Sequence, residues 1–276
     1  MRLALGLLLG SLAACGQRAS ASLARPSAVL YDAAADVYLV ADLGATASHS
    51  GAVHVIGPED GDVSALITDA AGLRAPRGLA LVGDTLWVAD VDTLRRFDRA
   101  TGAPRGAVEV VGASALHGLT ADDAGALYVC DPEVDVIWRV PPDGAPEVLA
   151  RGADLAGPTS VSAQRGGVYA VGGRDGSFYQ VDYRGVRTEL GRAPQAGLSG
   201  LVRVAGEADA AEPRRRTPSW LAASRDGAAV YRFSLTGGVE ALPQRFEQPG
   251  GLAYDGRRRR LLVPLTDAGR LRVEPL

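Results

Sequence analysis

The chain of 276 residues contains no lysine and no asparagine, so all 29 of its basic residues other than histidine are arginines. The absence of lysine excludes Schiff-base catalysis and the phosphate-binding loop GxxxxGK. The net charge is −3 at pH 7, and the arginines are not gathered on one helix as nucleic-acid binders usually arrange them. The composition therefore predicts no nucleic-acid partner.

Cysteine is also scarce, with one residue near the N-terminus, Cys15, and one in the body of the chain, Cys130. Two cysteines in such different settings do not make a disulfide framework. Cys130 lies in the apolar run "LYVC", a setting that favours a small buried hydrophobe over a reactive thiol. We therefore predict no catalytic residue at Cys130.

The N-terminus has the layout of a secretory signal. Met1 and Arg2 precede the apolar run "LALGLLLGSLAA", which is too short to span a membrane. The sequence then reads Leu-Ala-Ala-Cys up to Cys15 and resembles the bacterial lipobox, whose cysteine is acylated and becomes the mature N-terminus. The alternative is an ordinary signal with a chance cysteine.

The lipobox resemblance implies a signal peptide over residues 1–14, a lipidated Cys15 and a linker over residues 15–25. Several acyl chains would hold the protein on a membrane, because each buried methylene contributes about 0.8 kcal/mol. The partner is then a membrane of the bacterial cell envelope. Gly16 is not the aspartate that marks inner-membrane retention in some bacteria, so we expect the outer membrane.

Six copies of a short phrase, Pro/Leu-x-Gly-Leu or a close variant, recur at intervals of 40 to 51 residues. The copies are "PSAV" at Pro26, "PRGL" at Pro76, "LHGL" at Leu116, "PTSV" at Pro158, "LSGL" at Leu198 and "PGGL" at Pro249. Each opening phrase leads into a second apolar run, a turn, a third run and a weaker fourth run. Four short strands per unit are typical of a β-propeller blade.

The repeats therefore predict an all-β fold, a six-bladed β-propeller of four-stranded antiparallel blades over residues 26–276. The last unit ends after its third run, "RLRVEPL". We expect the segment "ASLAR", residues 21–25, to supply the missing outer strand and close the ring. We also expect a monomer.

Three stretches carry a family resemblance: "GLALVGDTLWVADVDTLRRFDRATG", "GLTADDAGALYVCDPEVDVIWRV" and "LAYDGRRRRLLVPL". They resemble six-bladed propellers of the senescence marker protein/gluconolactonase-like group and the related NHL-repeat proteins. Active members of that group hydrolyse sugar lactones with one divalent metal at the mouth of the central channel. Their ligands, a Glu, two Asn and an Asp, occupy the second position of the opening phrase.

That second position, here called the slot, differs in this chain. The six slots hold Ser27, Arg77, His117, Thr159, Ser199 and Gly250. Those corresponding to metal ligands are Ser27, His117, Thr159 and Ser199, with no carboxylate among them. Neutral hydroxyls and one imidazole suit a hard divalent cation poorly. The resemblance therefore predicts the fold but no metal ligand and no catalytic residue, and the occupied slots become candidates for ligand binding at the channel mouth.

Chain direction places the opening phrases on the same face as the turns between second and third strands. That face gathers a ring of aspartates: Asp42, Asp90, Asp92, Asp131, Asp135, Asp175, Asp226 and Asp267. In one interpretation they cap tight turns through the backbone, which aspartate does well. In the other they form an acidic mouth for a cation, a sugar or a basic peptide, and Asp90 and Asp131 join the binding candidates.

The opposite face carries two arginine runs, one in the fifth unit and one in the sixth. Adjacent blades would bring together Arg214, Arg215, Arg216, Arg257, Arg258 and Arg259. These residues form either a solvated surface or a basic patch for anionic lipid headgroups or an acidic partner.

Two functions remain open. The first is a lipid-anchored module without a cofactor that binds an unknown small molecule or protein at the propeller face. The second is an altered lactonase with His117 as general base and one divalent cation held by rim aspartates.

Overall fold

The computed structural model describes residues 22–45, 50–204, 218–235 and 238–276, and within these ranges it consists of strands and two short 3-10 turns, Asp69–Ala71 and Ala153–Leu155. Cys15 and Arg214, Arg215 and Arg216 lie outside the described residues, as does the predicted signal peptide.

The first three blades are four-stranded antiparallel meanders. Blade 1 contains β1 to β4: Pro26–Asp32, Val37–Asp42, Ala52–Ile56 and Val63–Ile67. Blade 2 contains β5 to β8: Pro76–Val82, Thr85–Asp90, Thr93–Asp98 and Pro104–Glu109. Blade 3 contains β9 to β12: Leu119–Ala121, Leu127–Asp131, Val136–Val140 and Glu147–Arg151. Each of these blades begins at or just after an opening phrase, as the repeat predicts.

The last three blades follow the same order. Blade 4 contains β13 to β16: Pro158–Gln164, Gly167–Gly172, Ser177–Val181 and Arg187–Arg192. Blade 5 contains β17 to β20: Leu198–Val204, Ser219–Ser224, Ala229–Ser234 and Val239–Ala241. Blade 6 contains β21 to β23: Ala253–Asp255, Arg260–Leu265 and Arg270–Pro275. The six-bladed propeller predicted from the repeat is confirmed.

The first strand of each blade lies next to the first strands of its two neighbours, so these strands surround the central channel. The second and third strands are the most deeply buried, as in β10 and β18, because neighbouring blades cover both of their faces. This explains why their apolar runs do not alternate. The fourth strands form the outer surface, and β8 is exposed over most of its length.

Apolar packing holds the blades together. Among the described residues the buried apolar side chains form six clusters, one at each boundary between blades. Cys130 is fully buried in the cluster between blades 3 and 4, and burial raises the pKa of its thiol. The interpretation of Cys130 as a small core hydrophobe is confirmed.

The ring closes where blade 6 meets blade 1. Val29, Tyr38 and Leu262 share the apolar cluster at this boundary. The main chain of Gly251 donates a hydrogen bond to Ser27 O at 2.8 Å, and the Tyr38 hydroxyl donates to the Asp255 carboxylate at 2.9 Å. Both the packing and the polar contacts of this boundary therefore match an ordinary boundary between consecutive blades.

The expected fourth strand of blade 6 is not formed by the described part of the segment over residues 21–25. Within the described ranges, blade 6 has three strands, and residues 22–25 pass Gly269 without pairing as a strand. The reason lies in blade 1: the Asp42 carboxylate accepts hydrogen bonds from the backbone N–H groups of Ala24 and Arg25, at 2.6 and 2.9 Å. These N–H groups are therefore used at the end of β2 and not in a ladder beside β23.

No helix within the described ranges has the length and apolarity needed to cross a bilayer.

Candidate functional site

A cavity of about 380 Å³ lies at one end of the channel, and we call it the mouth chamber. Its walls come from the slots and from the turns between second and third strands, which chain direction predicted to share a face. The slot residues in its wall are Ser27, Arg77, His117, Thr159 and Ser199. The turns contribute Glu133, Arg174 and Arg225. The structure thus brings five of the seven sequence-predicted channel-mouth candidates into one cavity.

A β-bulge aims the slot side chain into the channel. In blade 2, Pro76 pairs with Asp90 and Gly78 with Ala89, so Arg77 has no partner in the second strand. The same register shift occurs in blades 1, 4 and 5, where it isolates Ser27, Thr159 and Ser199. A bulge re-aims the extra residue without ending the strand. The slot is therefore a residue freed from the blade's own ladder.

The glycine that follows the slot in the opening phrase allows the inner strands to approach closely. A Cβ atom on Gly78 would lie 2.3 Å from the carbonyl oxygen of His117, and one on Gly118 would lie 2.6 Å from the Cα of Ser160. Neither contact is possible for a side chain. The glycine of the phrase thus keeps neighbouring first strands together around the channel.

The slot hydroxyls link each blade to the next. Ser27 donates a hydrogen bond to the Pro76 carbonyl at 2.6 Å, Thr159 donates to the Leu198 carbonyl at 2.7 Å, and Ser199 donates to the Pro249 carbonyl at 2.6 Å. Each acceptor is the first residue of the next opening phrase. The single proton of each hydroxyl is thereby used within the protein.

Asp90 and Asp131, which the sequence placed among the binding candidates, do not line the mouth chamber. Both are fully buried. The Asp90 carboxylate accepts hydrogen bonds from the N–H groups of Arg74 and Ala75, and the Asp131 carboxylate accepts them from Ser114 and Ala115. These carboxylates fasten the incoming chain to the end of the second strand, so their part is structural.

Two arginines give the mouth chamber its charge, and sequence reasoning identified only one of them. Arg77 comes from the slot of blade 2, whereas Arg225 follows Ser224 at the end of β18 in blade 5. In blades 1, 2 and 3 the second strand ends in aspartate. Ser224 at this position, with an arginine directly after it, is the signal that could have identified Arg225.

Neither guanidinium forms an ion pair within the described part of the chain. Burial lowers the pKa of Arg77, the charges of Arg225 and Arg25 lower it further, and no acidic group there raises it. Burial also lowers the pKa of Arg225, while Asp267 and Asp226 act in the opposite direction. The Arg225 Nε atom is buried without a hydrogen-bond partner. Both groups stay protonated, since a guanidinium does not deprotonate in proteins.

His117 lies in the same chamber and is neutral. Burial, together with the charges of Arg77 and Arg225, lowers its pKa to about 3. A neutral imidazole offers one N–H donor and one acceptor nitrogen. His117 can therefore hydrogen-bond a ligand, but at neutral pH it is a weak base.

A second cavity of about 230 Å³ lies further along the channel. It is lined mainly by small and apolar residues of the first strands, such as Leu79, Val161 and Leu252. Arg77 and Ser199 border both cavities. The Arg77 side chain therefore lies at the boundary between the mouth chamber and the interior of the channel.

On the opposite face, acidic groups pair with two of the three described arginines of the predicted basic patch, Arg257 and Arg258. Arg258 forms ion pairs with Asp36, Asp255 and Glu59, and Arg257 pairs with Asp36 at 2.7 Å. The hydrogen bond from Arg258 holds the pKa of Asp36 well below its usual range. Arg259 is exposed and occupies a left-handed turn position with φ of 54°. Arg257 and Arg258 are thus joined to blade 1.

The divalent cation that the resemblance implies does not fit the mouth chamber. The hydroxyls of Ser27, Thr159 and Ser199 are engaged with main-chain carbonyls, and His117 lies beside two arginine charges. Divalent cations prefer several carboxylate or carbonyl oxygens. The chamber is instead a positively charged recess with one exposed carboxylate, Glu133. Within the described ranges, no cluster of three or more His, Cys, Asp or Glu residues has a metal-binding arrangement.

The fold is shared with binding proteins and with enzymes. An auxiliary nutrient binding protein from Bacteroides thetaiotaomicron superposes with a TM-score of 0.73 and 12% identity, covering 91% of this chain and 69% of that one. A gluconolactonase from Xanthomonas campestris superposes with a TM-score of 0.70 and 16% identity, covering 93% and 88%. These likenesses show the propeller fold.

A virginiamycin B lyase from Staphylococcus aureus, solved as an inactive variant with quinupristin, has a TM-score of 0.62 and 13% identity, covering 94% of this chain and 87% of that one. By sequence, the chain matches no protein-family model and no curated protein. At such identities the fold does not decide the function, which must be argued from the site.

Proposed function

We propose that this protein is a non-catalytic ligand-binding propeller, held at the bacterial cell envelope by lipid on Cys15, which takes a small molecule or a protein side chain into the mouth chamber. The observation that supports this most directly is the chamber itself. Arg77, His117 and Arg225 converge there from three different blades, and the two arginines form no ion pair within the described residues. Polar groups that converge in a cavity are typical of a binding site.

The same chamber gives less support to an altered lactonase. A general base works best with a pKa near the working pH, whereas that of His117 is about 3. The rim aspartates Asp90 and Asp131 are occupied by main-chain N–H groups. Assays against a panel of lactones, with manganese, calcium or zinc added, should give no hydrolysis above the buffer rate. Metal-dependent turnover that is lost in His117→Ala would contradict this part of the proposal.

The binding proposal is tested by calorimetry of the full chain against small neutral sugars, organic acids and phosphates. We expect at least one class to bind, and binding should weaken when Arg77 is replaced by glutamine. Arg139→Gln is the matched control, because Arg139 pairs with Glu147 in blade 3 and does not line the mouth chamber.

The anchor is a separate part of the proposal, supported by the lipobox resemblance at Cys15. Radiolabelled palmitate should be incorporated into the wild-type chain and not into Cys15→Ser. Fractionation of the envelope would then show whether the outer membrane carries the protein.

A further inference from the structure

The charged side chains that line the mouth chamber are mainly hydrogen-bond donors, three arginines beside one carboxylate, Glu133. Ser27, Thr159 and Ser199 donate their hydroxyl protons to carbonyls of the next blade, so toward a ligand these hydroxyls can act only as acceptors. The charged donors are those of Arg77, Arg174 and Arg225, which lie in the cavity wall with His117. A guanidinium donates five N–H groups and accepts none.

Two of these arginines differ from the third in how their charge is used. Arg174 is exposed, donates to the Pro132 carbonyl at 3.0 Å and forms an ion pair with Asp135. Arg77 and Arg225 are more deeply buried and have no such partner among the residues that the structure describes. The Arg225 Nε atom is shielded from solvent without a hydrogen-bond acceptor.

Arg77 and Arg225 are half-buried, and a charge that is partly removed from water without a partner is costly for the folded protein. Asp226 and Asp267 oppose part of the charge of Arg225, yet no acidic group of the described chain does so for Arg77. Glu133, the acidic residue in the cavity wall, is exposed. An anion in the chamber would supply the acceptors that both guanidiniums lack.

The geometry points to a small organic anion as the ligand of the mouth chamber, held through a carboxylate or phosphate group between Arg77 and Arg225, with His117 as a neutral hydrogen-bond partner. Planar guanidinium groups match both oxyanions bidentately. The rest of the ligand occupies the remaining volume of the chamber. This inference rests on the proposed binding function and adds the chemical class of the ligand to it.

The test is calorimetric titration of the full chain at low ionic strength with succinate, citrate and inorganic phosphate. Succinamide and glucose are the neutral counterparts, and succinamide has nearly the shape of succinate without its charge. We expect an anion to bind and succinamide to bind at least tenfold more weakly. The arm that binds, carboxylate or phosphate, distinguishes the two oxyanions.

Arg77→Gln and Arg225→Gln should each weaken anion binding roughly 10- to 100-fold, as expected for the loss of a charge-assisted hydrogen bond. Arg139→Gln removes the same charge elsewhere and should leave binding unchanged. Circular dichroism of each variant confirms that it is folded.

Three results would overturn the inference. If succinamide and succinate bind equally well, the proposed binding function is retained and the preference for an anion is refuted. An equal loss in Arg139→Gln would show a general charge effect and not a site. Failure of every compound to bind would refute both the anion and the proposed binding function.

Discussion

On the face opposite the mouth, arginines are matched with acids, whereas two arginines of the mouth chamber, Arg77 and Arg225, form no ion pair among the described residues. Arg99 in blade 2 donates hydrogen bonds to Asp32 of blade 1, and Arg258 in blade 6 is surrounded by Asp36, Glu59 and Asp255. These pairs link neighbouring blades. Arg77 and Arg225 have the same chemistry, but in the mouth chamber neither of them forms such a pair with a described residue. Within one chain, arginine thus forms ion pairs between blades in one region and has an unpaired guanidinium in the other.

The largest change in stability is expected from breaking the ion pair between Arg99 and Asp32. Arg99→Gln removes the partner of Asp32, whose side chain is only 1% exposed. Burial raises the pKa of Asp32, but the hydrogen bonds from Arg99, Ala35 and Ala34 outweigh it, so the pKa is lowered overall. We expect the free energy of unfolding to fall by about 1–3 kcal/mol in urea denaturation at pH 7. In a double-mutant cycle, adding Asp32→Asn to Arg99→Gln should recover part of the loss. Additive losses from the two substitutions would contradict a stabilising ion pair between these residues.

Acid should reveal the state of His117. Its pKa is about 3 in the folded protein, below the ordinary value of 6.5, so the unfolded chain binds the proton more readily between these values. Stability therefore falls as the pH drops below about 6.5 and this contribution levels off near pH 3. The other charged groups of the cavity remain in His117→Gln, so the variant isolates the contribution of His117. These groups are Arg77, Arg174, Arg225 and Glu133.

Urea denaturation at pH 7 and pH 4.5 measures this contribution. Relative to the wild type, His117→Gln should lose about 1–2 kcal/mol less stability on acidification. Equal losses would mean that His117 protonates freely in the folded protein, and the chamber would then carry less positive charge than the structure indicates.

A smaller change in stability, of opposite sign, is expected when the unpaired arginine Arg77 is replaced. Without ligand, Arg77→Gln removes a half-buried charge that no acid of the described chain offsets, so the free energy of unfolding should rise by roughly 0.5–1 kcal/mol. The same variant should lose anion binding. A variant that is both less stable and unchanged in binding would show that Arg77 is a structural residue.

The smallest effect is predicted for an exposed pair. Arg139 and Glu147 are 34% and 55% exposed, and their nearest N and O atoms lie 2.6 Å apart. Arg139→Gln should change the free energy of unfolding by less than about 0.5 kcal/mol, and 1 M NaCl should remove the difference. A loss of stability comparable with that of Arg99→Gln would show that buried ion pairs between blades and exposed ion pairs contribute equally.

The repeat predicted the blades because each one folds from residues close in sequence. The slot residues were also predictable, since every opening phrase places its second residue at the same point of the ring. The acceptors of the slot hydroxyls were not predictable: the Ser27 hydroxyl reaches Pro76 and the Ser199 hydroxyl reaches Pro249, in each case the following blade. Such contacts depend on how far consecutive blades rotate.

The same limit explains the other differences. Asp90 was placed at the right end of the blade, but its hydrogen bonds go to the chain before the first strand, and Asp42 draws residues 24 and 25 away from the edge of blade 6 in the same way. The sequence did not single out Arg225, because the turn in which it lies also contains Asp226, which matches the aspartates of the other blades. The pairing of Arg257 and Arg258 with Asp36 joins residues more than 200 positions apart.

The bulge at the slot separates two requirements that a β-strand usually combines. Residues on either side of Arg77, Thr159 or Ser199 stay in the ladder and pack the blade, while the extra residue is outside the ladder and lines the channel mouth. A substitution at one slot can therefore alter what the hub recognises while the hydrophobic boundaries stay intact. A few single substitutions at the slots would therefore be enough to change the ligand that such a propeller binds.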